Sequence, residues 1–472
     1  MILRLEYANR VGMLARITAA IARAKGDFRA VEMVESDGTR MVRDFTLASG
    51  DESQQRRIVQ ALKRLRGVTV VRIFDRILQL HRGGKIEVQN KFPLDNGEVL
   101  SMAYTPGVAR MCSEIVAHPE SVYDYTIKGK TVAVISDGTS VLGLGDIGPD
   151  AAMPVMEGKA MLFKGLADLD AYPICLRTKD PQQIIETICN LSTGFAGINL
   201  EDISAPRCFQ IEEELQKRLD IPVFHDDQHG CAIVVLAGLM NALKLKRQTL
   251  KRVNIVINGA GAAGVATTKF LLSAGAANLI VCDRDGILSR RKLDDLHDTH
   301  RWVAMHTNQQ GTTGTLGDAL KGADVFIGVS KPAVLDRAML QQMASKPVIF
   351  ALANPVPEIM PDEAASYAYI MATGRSDFPN QINNALVFPA MFRGAIDVRA
   401  RCVNAEMKLA AARAIAECVS PTDLAPEYIV PRVFHPGGVR KVADAVKMAA
   451  IQSGVARVTA TTGLRPPDLS ES

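Results

Sequence analysis

Four carboxylates and two imidazoles are concentrated in two short stretches of this 472-residue chain. Residues 223–232 read VFHDDQHGCA, with Asp226 and Asp227 between His225 and His229; residues 199–203 read NLEDI, with Glu201 and Asp202. Histidines four apart suit tetrahedral zinc when they share one helical face. IPVF ahead of His225 reads as a strand, so these two rings need not share a face. Carboxylate oxygens instead suit Mg²⁺ or Mn²⁺ in a shell completed by substrate and water. Two acidic strand ends could converge on one such ion, although unrelated solvated carboxylates would give the same spacing.

A second chemistry is written in VNIVINGAGAAGVATTKFLLSAGAANLIVCD. A strand leads into Gly259-Ala260-Gly261-Ala262-Ala263-Gly264, then a helix, then a strand ending at Asp283, nineteen residues beyond Gly264. Glycines there let a pyrophosphate approach the backbone, the helix N-terminus faces its charge, and the carboxylate meets ribose hydroxyls. The stretch reads as a dinucleotide site. Asp283 favours NAD, while Arg284, Arg290 and Arg291 close by keep NADP open.

Elements must hold these groups in place. The length exceeds what one hydrophobic core serves, so several modules are expected. Hydrophobic residues at 47% and charged residues at 22% fit an ordinary globular chain. No apolar run reaches the twenty residues of a membrane span. The first stretch is interrupted by Arg4, Glu6, Arg10, Arg16 and Arg23, which argues against a secretion signal. Eight cysteines without a CxxC pair suit reduced thiols in a cytoplasm. Nothing points to a nucleic-acid partner. Net charge is +4, but residues 1–85 hold 17 Lys+Arg against 9 Asp+Glu, or +8.

The fold class reads as α/β throughout. Residues 1–82 follow a βαββαβ order. Leu3, Leu5 and Tyr7 share one side of a strand, Leu14, Ile17, Ile21 and Ala24 a helical stripe, and Ile58, Leu62 and Leu65 a second; VTVVRIFDRIL closes the unit as a strand. HRGGKIEVQNK follows as a linker. Residues 83–232 contain the strand-like runs TVAVISD, FAGINLED and IPVFHDD, a parallel sheet whose ligands would collect beyond the strand ends. Residues 233–472 add DVFIGVS, PVIFALANP and AYIMATG to the glycine-loop strands, enough for a doubly wound, Rossmann-like sheet.

YANRVGMLARITAAIARAKGD resembles the first strand, turn and helix of ACT regulatory domains. That likeness implies a small-effector site near Asn9, Gly12, Met13 and Leu14, for an amino acid or a small anion. From 90 to 400 the chain resembles malic enzymes, on YTPGVARMC, SVLGLGDIGPDAAMPVMEGKAMLFK, NLEDI, VFHDDQHG, INGAGAAG, ALANPVPE and RSDFPNQINNALVFPAMFRGA in chain order. This resemblance implies oxidation of L-malate by NAD(P), with loss of CO₂ to give pyruvate. It makes Glu201, Asp202 and Asp227 the ligands of Mg²⁺ or Mn²⁺, and the histidines bystanders. It gives Lys159 the role of base, Tyr104 that of acid, and Asp226 that of a carboxylate positioning Lys159 or water. Gly259, Gly261, Ala262, Ala263, Gly264, Asp283 and Asn354 would meet the dinucleotide; Ser140, Asn354, Asn383 and Asn384 would meet malate. A lysine serves as base only if its pKa falls, which burial and a nearby cation favour. Larger malic enzymes carry an arginine where this chain has Ser140, so the group that clamps a malate carboxylate stays open. Malolactic conversion and metal-dependent oxaloacetate decarboxylation are the competing activities. Family members usually pair, implying a homodimer or larger assembly.

Overall fold

Alternation at the start of the chain becomes a strand: Leu3, Leu5 and Tyr7 of β1 (Ile2–Ala8) are buried, with Arg4 and Glu6 half-buried between them. The computed structural model describes residues 1–48, 52–141 and 143–458, in two units, Met1–Val88 and Gln89–Ser472. In the first unit β1 is followed by the helix Met13–Arg23, β2 (Asp27–Ser36), β3 (Arg40–Ala48), the helix Glu52–Lys63 and β4 (Val68–Phe74). The antiparallel sheet runs β2-β3-β1-β4, and Leu3, Leu5, Ile17, Ile21, Phe45, Ile58 and Leu62 fill its core.

Two local expectations in this unit need correction. The first helix begins at Met13, directly after Gly12 in the left-handed region at φ 87°. A 3.6-residue period from Met13 buries Ile17, Ala20 and Ile21 with it, and leaves Leu14 38% exposed. The last strand also stops early. Asp75 accepts the Ile77 N–H at 2.8 Å and caps a short helix, Arg76–His81, where the sequence suggested more strand.

The second unit carries two sheets. β5 (Thr131–Ser136), β6 (Asp170–Cys175), β7 (Gly197–Leu200) and β8 (Val223–His225) pair in parallel in the order β6-β5-β7-β8. β6 was not legible in DAYPIC, because Pro173 lacks an N–H; it is tolerated on this edge strand. β9 (Asn254–Asn258), β10 (Asn278–Asp283), β11 (Gly286–Ile287), β12 (Val325–Gly328), β13 (Val348–Ala351) and β14 (Ile370–Thr373) form the larger sheet. Its order is β11-β10-β9-β12-β13-β14, parallel except for β11. The strand order reverses between β9 and β12, the place where doubly wound sheets open a crevice. Ser49, Leu142 and residues 459–472 lie outside the described residues.

The helix Asp226–Lys246 joins the two sheets. Its 21 residues are long and apolar enough to cross a bilayer, yet most of them are buried. They pack in one core with Val132, Val134 and Phe224 of the smaller sheet and Ile255, Ile257 and Phe350 of the larger. A module boundary at 232/233 therefore falls inside a continuous helix. Because that helix starts at Asp226, His225 stays extended at φ −90°, ψ 108°, and is not on it.

Candidate active site

β7 and β8 are adjacent and parallel, so the acidic pairs that follow them emerge side by side. Glu201 and Asp202 leave the end of β7, and Asp226 and Asp227 open the long helix after β8. One oxygen from each of Glu201, Asp202 and Asp227 lies within 4.8 Å of the others. The Asp202 N–H donates to Asp227 Oδ2 at 2.7 Å, and Asn199 Nδ2 donates to Glu201 Oε2 at 3.1 Å. Asp202 adopts φ 54°, a left-handed conformation that aspartate tolerates better than most residues. Burial, followed by repulsion from Asp227, pushes the Asp202 carboxyl up to about 8. Burial also lifts Glu201 well above the usual carboxylate range. Asp202 Oδ2 is buried without a partner. Crowded carboxylates with an orphaned buried oxygen fit a hard divalent cation, which would offset their repulsion.

Lys159 comes to this cluster from the buried face of the helix Pro149–Ala167, among Ala152, Met156, Ala160 and Phe163. Its ammonium lies 3.0 Å from Glu201 Oε1, contacts the Asp226 carboxylate, and sits 4.2 Å from the Phe388 ring centre. Burial pulls Lys159 down, but Asp226, Glu201 and Asp227 together outweigh it, and the net direction is up. The expected fall is thus reversed, for a Coulombic reason. Asp226 is fully buried, and its Oδ2 also accepts Asn384 Nδ2 at 2.5 Å. A Cβ on Gly230 would lie 2.1 Å from Asp226 Oδ1, so only glycine lets the helix pass this carboxylate.

The histidines do other work. His229 Nε2 meets Glu212 at 2.9 Å and its Nδ1 meets Lys408 Nζ at 3.1 Å, leaving neither nitrogen for a metal. His225 is buried with its Nδ1 3.8 Å from Asp227 Oδ2.

On the dinucleotide side, Gly259 has φ 115°, and a Cβ on it would meet Val329 O at 2.5 Å. A Cβ on Gly264 would lie 1.8 Å from Gly259 O, whereas the space beside Gly261 is open. The helix Ala262–Ser273 starts there, and Ala262 packs on the Ile198, Leu200 and Ile203 core under the carboxylate cluster. Asp283 ends β10, its Oδ1 accepting the Asp285 N–H at 2.8 Å. A tight glycine turn, open at the helix N-terminus and followed by this carboxylate, fits a dinucleotide.

Comparison with known proteins agrees with this geometry. Residues 83–216 match the malic enzyme N-terminal domain, residues 228–454 the malic enzyme NAD-binding domain, and residues 1–72 an ACT domain. The NAD-dependent malic enzyme of Geobacillus stearothermophilus is 52% identical over 96% of this chain and 95% of its own length. The chain belongs to the malic enzyme family. The bifunctional malic/malolactic enzyme of Bacillus subtilis is 52% identical over 81% of this chain and 94% of its own length. The crystal structure of the NAD-dependent malic enzyme of Thermotoga maritima, 47% identical, superposes with a TM-score of 0.77 over 79% of this chain and 99% of its own.

Other residues that the malic enzyme resemblance singled out are distributed unevenly. The Ser140 N–H donates to Asp202 O at 3.0 Å, so its loop abuts the cluster. A Cβ on Gly143 would come within 2.5 Å of Asn354 O, so the loop after Ser140 meets the loop bearing Asn354. Asn383 instead accepts the Ala385 N–H at 2.8 Å and caps a turn, leaving Asn384 as the amide that touches Asp226. Tyr104 is 66% exposed, at the end of the helix Gly97–Ala103, none of whose residues is buried. No described contact brings its hydroxyl to Lys159 or the carboxylates. In the ACT unit, Asn9 Nδ2 donates to Gly38 O, Gly12 faces open space, and Met13 points into the core.

Sequence reasoning missed Arg207, Glu212 and Lys408. Arg207 pairs with Asp137 at 2.9 Å and donates to Thr139 Oγ1 and Ser204 Oγ, fastening the loop before Ser140 to the loop after Asp202. With those partners it is no free clamp for a malate carboxylate. Glu212 carried a signal: it lies beside Ile211 and three residues before Leu215, near the apolar stripe of its helix.

Proposed function

We propose that the chain oxidises L-malate to pyruvate and CO₂ with reduction of NAD, holding Mg²⁺ or Mn²⁺ with Glu201, Asp202 and Asp227. The observation that carries this reading is Lys159, buried between Glu201 of the carboxylate cluster and Asp226. Bound in these sites, the cation would supply positive charge beside the malate hydroxyl, and the dinucleotide a hydride acceptor.

Lys159 is the base that removes the hydroxyl proton. Asp226, Glu201 and Asp227 hold its own proton on; a cation engaging Glu201 and Asp227 would oppose two of the three and, with burial, shift Lys159 toward the uncharged amine, Asp226 remaining its partner. Asp226 and Asn384 fix the position of Nζ, and the Phe388 ring shields it from water. Once the alcohol is oxidised, the β-keto acid loses CO₂, and Tyr104 supplies the proton to C3. Gly259, Gly261, Ala262, Ala263, Gly264, Asp283 and Asn354 hold the dinucleotide, while Ser140, Asn354 and Asn384 face malate and Asn383 caps the turn that carries Asn384.

The exposure of Tyr104 is consistent with a homo-oligomer. Leu100, Met102, Tyr104 and Val116 are all exposed, and neither the helix Gly97–Ala103 nor the helix Val108–Ala117 has a buried residue. A second copy covering this face would also enclose Tyr104. We place the enzyme in the cytoplasm, with residues 1–82 as an effector-binding module, 83–232 as the malate and metal module and 233–472 as the dinucleotide module. The decisive experiment follows nicotinamide reduction with malate, Mn²⁺ and either NAD or NADP, and identifies the product. Pyruvate formed with stoichiometric reduced nicotinamide supports the reading. Lactate without net reduction would replace it with malolactic conversion.

A further inference from the structure

Asp283 does not stand alone at the end of β10. The ring of His300, from the helix Asp298–His306, has Nδ1 3.6 Å from Asp283 Oδ2 and Nε2 2.9 Å from the Ala260 carbonyl. His300 therefore bridges the glycine loop and the carboxylate placed to meet the adenosine ribose. Both side chains are largely shielded, at 17% and 16% exposure. Ala260 O can only accept, so Nε2 carries the proton of that hydrogen bond, and Nδ1 faces the Asp283 carboxylate. His297 stacks on the same ring, with centroids 3.8 Å apart. Burial, then His300, holds His297 below its usual range.

At 3.6 Å His300 Nδ1 is beyond hydrogen-bond distance, so among the described residues no hydrogen bond fills Asp283 Oδ2. Its Oδ1 already accepts the Asp285 N–H. The hydroxyls of an unmodified ribose are donors that match the free oxygen, whereas a 2′-phosphate would bring like charge against it. The neighbouring cation, Arg284, is 84% exposed and lies 3.4 Å from Asp285 Oδ2.

We propose that His300 is a specificity-determining residue for the dinucleotide: held on the Ala260 carbonyl, it stops short of a hydrogen bond to Asp283 and leaves Oδ2 open to ribose hydroxyls, so the site takes NAD and rejects NADP. This rests on the dinucleotide site proposed above, and the two can fail separately. Trp302 is the chain's one tryptophan and lies two residues from His300 on the same helix, so energy transfer from it to a reduced nicotinamide reports binding without turnover.

The experiment measures dissociation constants for NADH and NADPH in the full-length wild type, His300→Arg, His300→Gln and Asp283→Asn. Wild type should prefer NADH by about tenfold or more, the cost of one uncompensated like-charge contact. His300→Arg places a fixed cation against Asp283 and should move the NADPH-to-NADH preference by about tenfold toward NADPH. Asp283→Asn should move it the same way by removing the charge. His300→Gln can still donate to Ala260, and should stay within about threefold of the wild-type ratio. Wild type binding both dinucleotides equally, or His300→Arg weakening both by one factor, would overturn the specificity role. Wild type binding neither would instead remove the dinucleotide site itself.

Discussion

At the scale of single residues, the site is a balance of negative charges around one ammonium. Asp227 accepts the Asp202 N–H and belongs to the three-carboxylate cluster proposed to hold the cation. Asp227→Asn keeps the acceptor oxygen and removes the charge. The midpoint of activation by Mn²⁺ should rise by roughly 10- to 100-fold or more, with turnover falling. An unchanged midpoint and rate would take Asp227 out of the ligand set. Lys159 and Tyr104 should fail at different steps. Lys159→Ala should lower malate oxidation by roughly 10²- to 10⁴-fold, because the alcohol proton has no base. Tyr104→Phe should retain oxidation and lose ketonisation of enolpyruvate supplied separately. If both variants lose both partial reactions equally, the division between base and acid is wrong. The motif resemblance singled these groups out, whereas residue types and spacing alone left unrelated solvated carboxylates open. Neither was enough to give the direction of the Lys159 shift, which depends on three carboxylates from two strand ends meeting at one atom.

At the scale of elements, the helix Asp226–Lys246 is held by a buried carboxylate–imidazole–ammonium chain, in which burial holds His229 below its usual range. Glu212 from the helix Arg207–Arg218, His229 near the start of the long helix and Lys408 from the helix Ala405–Ala416 meet in sequence. Glu212 Oε1 also accepts the His225 N–H at 3.0 Å, fixing the residue from which Asp226 and Asp227 depart. Burial pushes Glu212 up, but His229 and Lys408 outweigh it and bring it to about 2, from a usual 4.5. A depressed carboxyl pKa adds stability above the unfolded value, and that stability is lost as pH falls through the folded one. Wild type should therefore lose stability from Glu212 between about pH 4.5 and pH 2. Glu212→Ala leaves His229 and Lys408 buried without their anion and should cost about 3–5 kcal/mol at neutral pH. Denaturant unfolding of both proteins across this range checks it. A variant matching wild type at pH 7 would show that the three groups are not coupled. Periodicity marked these helices in the sequence, but not which buried polar positions would find one another.

At the scale of the whole molecule, the candidate metal and dinucleotide sites lie within one unit, Gln89–Ser472, while Met1–Val88 has its own sheet and core. No residue proposed for malate chemistry belongs to the first unit. Gly12, at φ 87° with open space where a side chain would be, leaves backbone accessible beside Asn9, as a small-ligand site requires. Effector binding there changes catalysis only if it favours one arrangement of the protein over another. Deleting residues 1–82 should leave an enzyme that oxidises malate and no longer responds to the effector. Amino acids and small anions would be screened against both proteins by thermal shift and by rate. If each compound that shifts the full chain shifts the truncated one equally, the regulatory role fails.

The sequence by itself determined the fold class, the family chemistry, the acidic strand ends and the glycine turn. Each depends on short-range constraints, such as a period of two or 3.6, a φ that favours glycine, or a fixed order of residues along one strand and its loop. It also weakened a histidine zinc site, since a strand before His225 means the two rings need not share a face. Tertiary structure decided the rest. The pairing of β7 with β8 sets Glu201 and Asp202 beside Asp227. The packing of the helix Pro149–Ala167 brings Lys159 to Glu201, more than forty residues away along the chain. Contacts across tens or hundreds of residues join Asn384 to Asp226, Lys408 to His229 and His300 to Asp283. No local pattern encodes such meetings, because each depends on two separately formed surfaces burying the same side chain. Tyr104 shows the same limit from the other side: its motif was legible, yet one folded chain leaves its ring in the open.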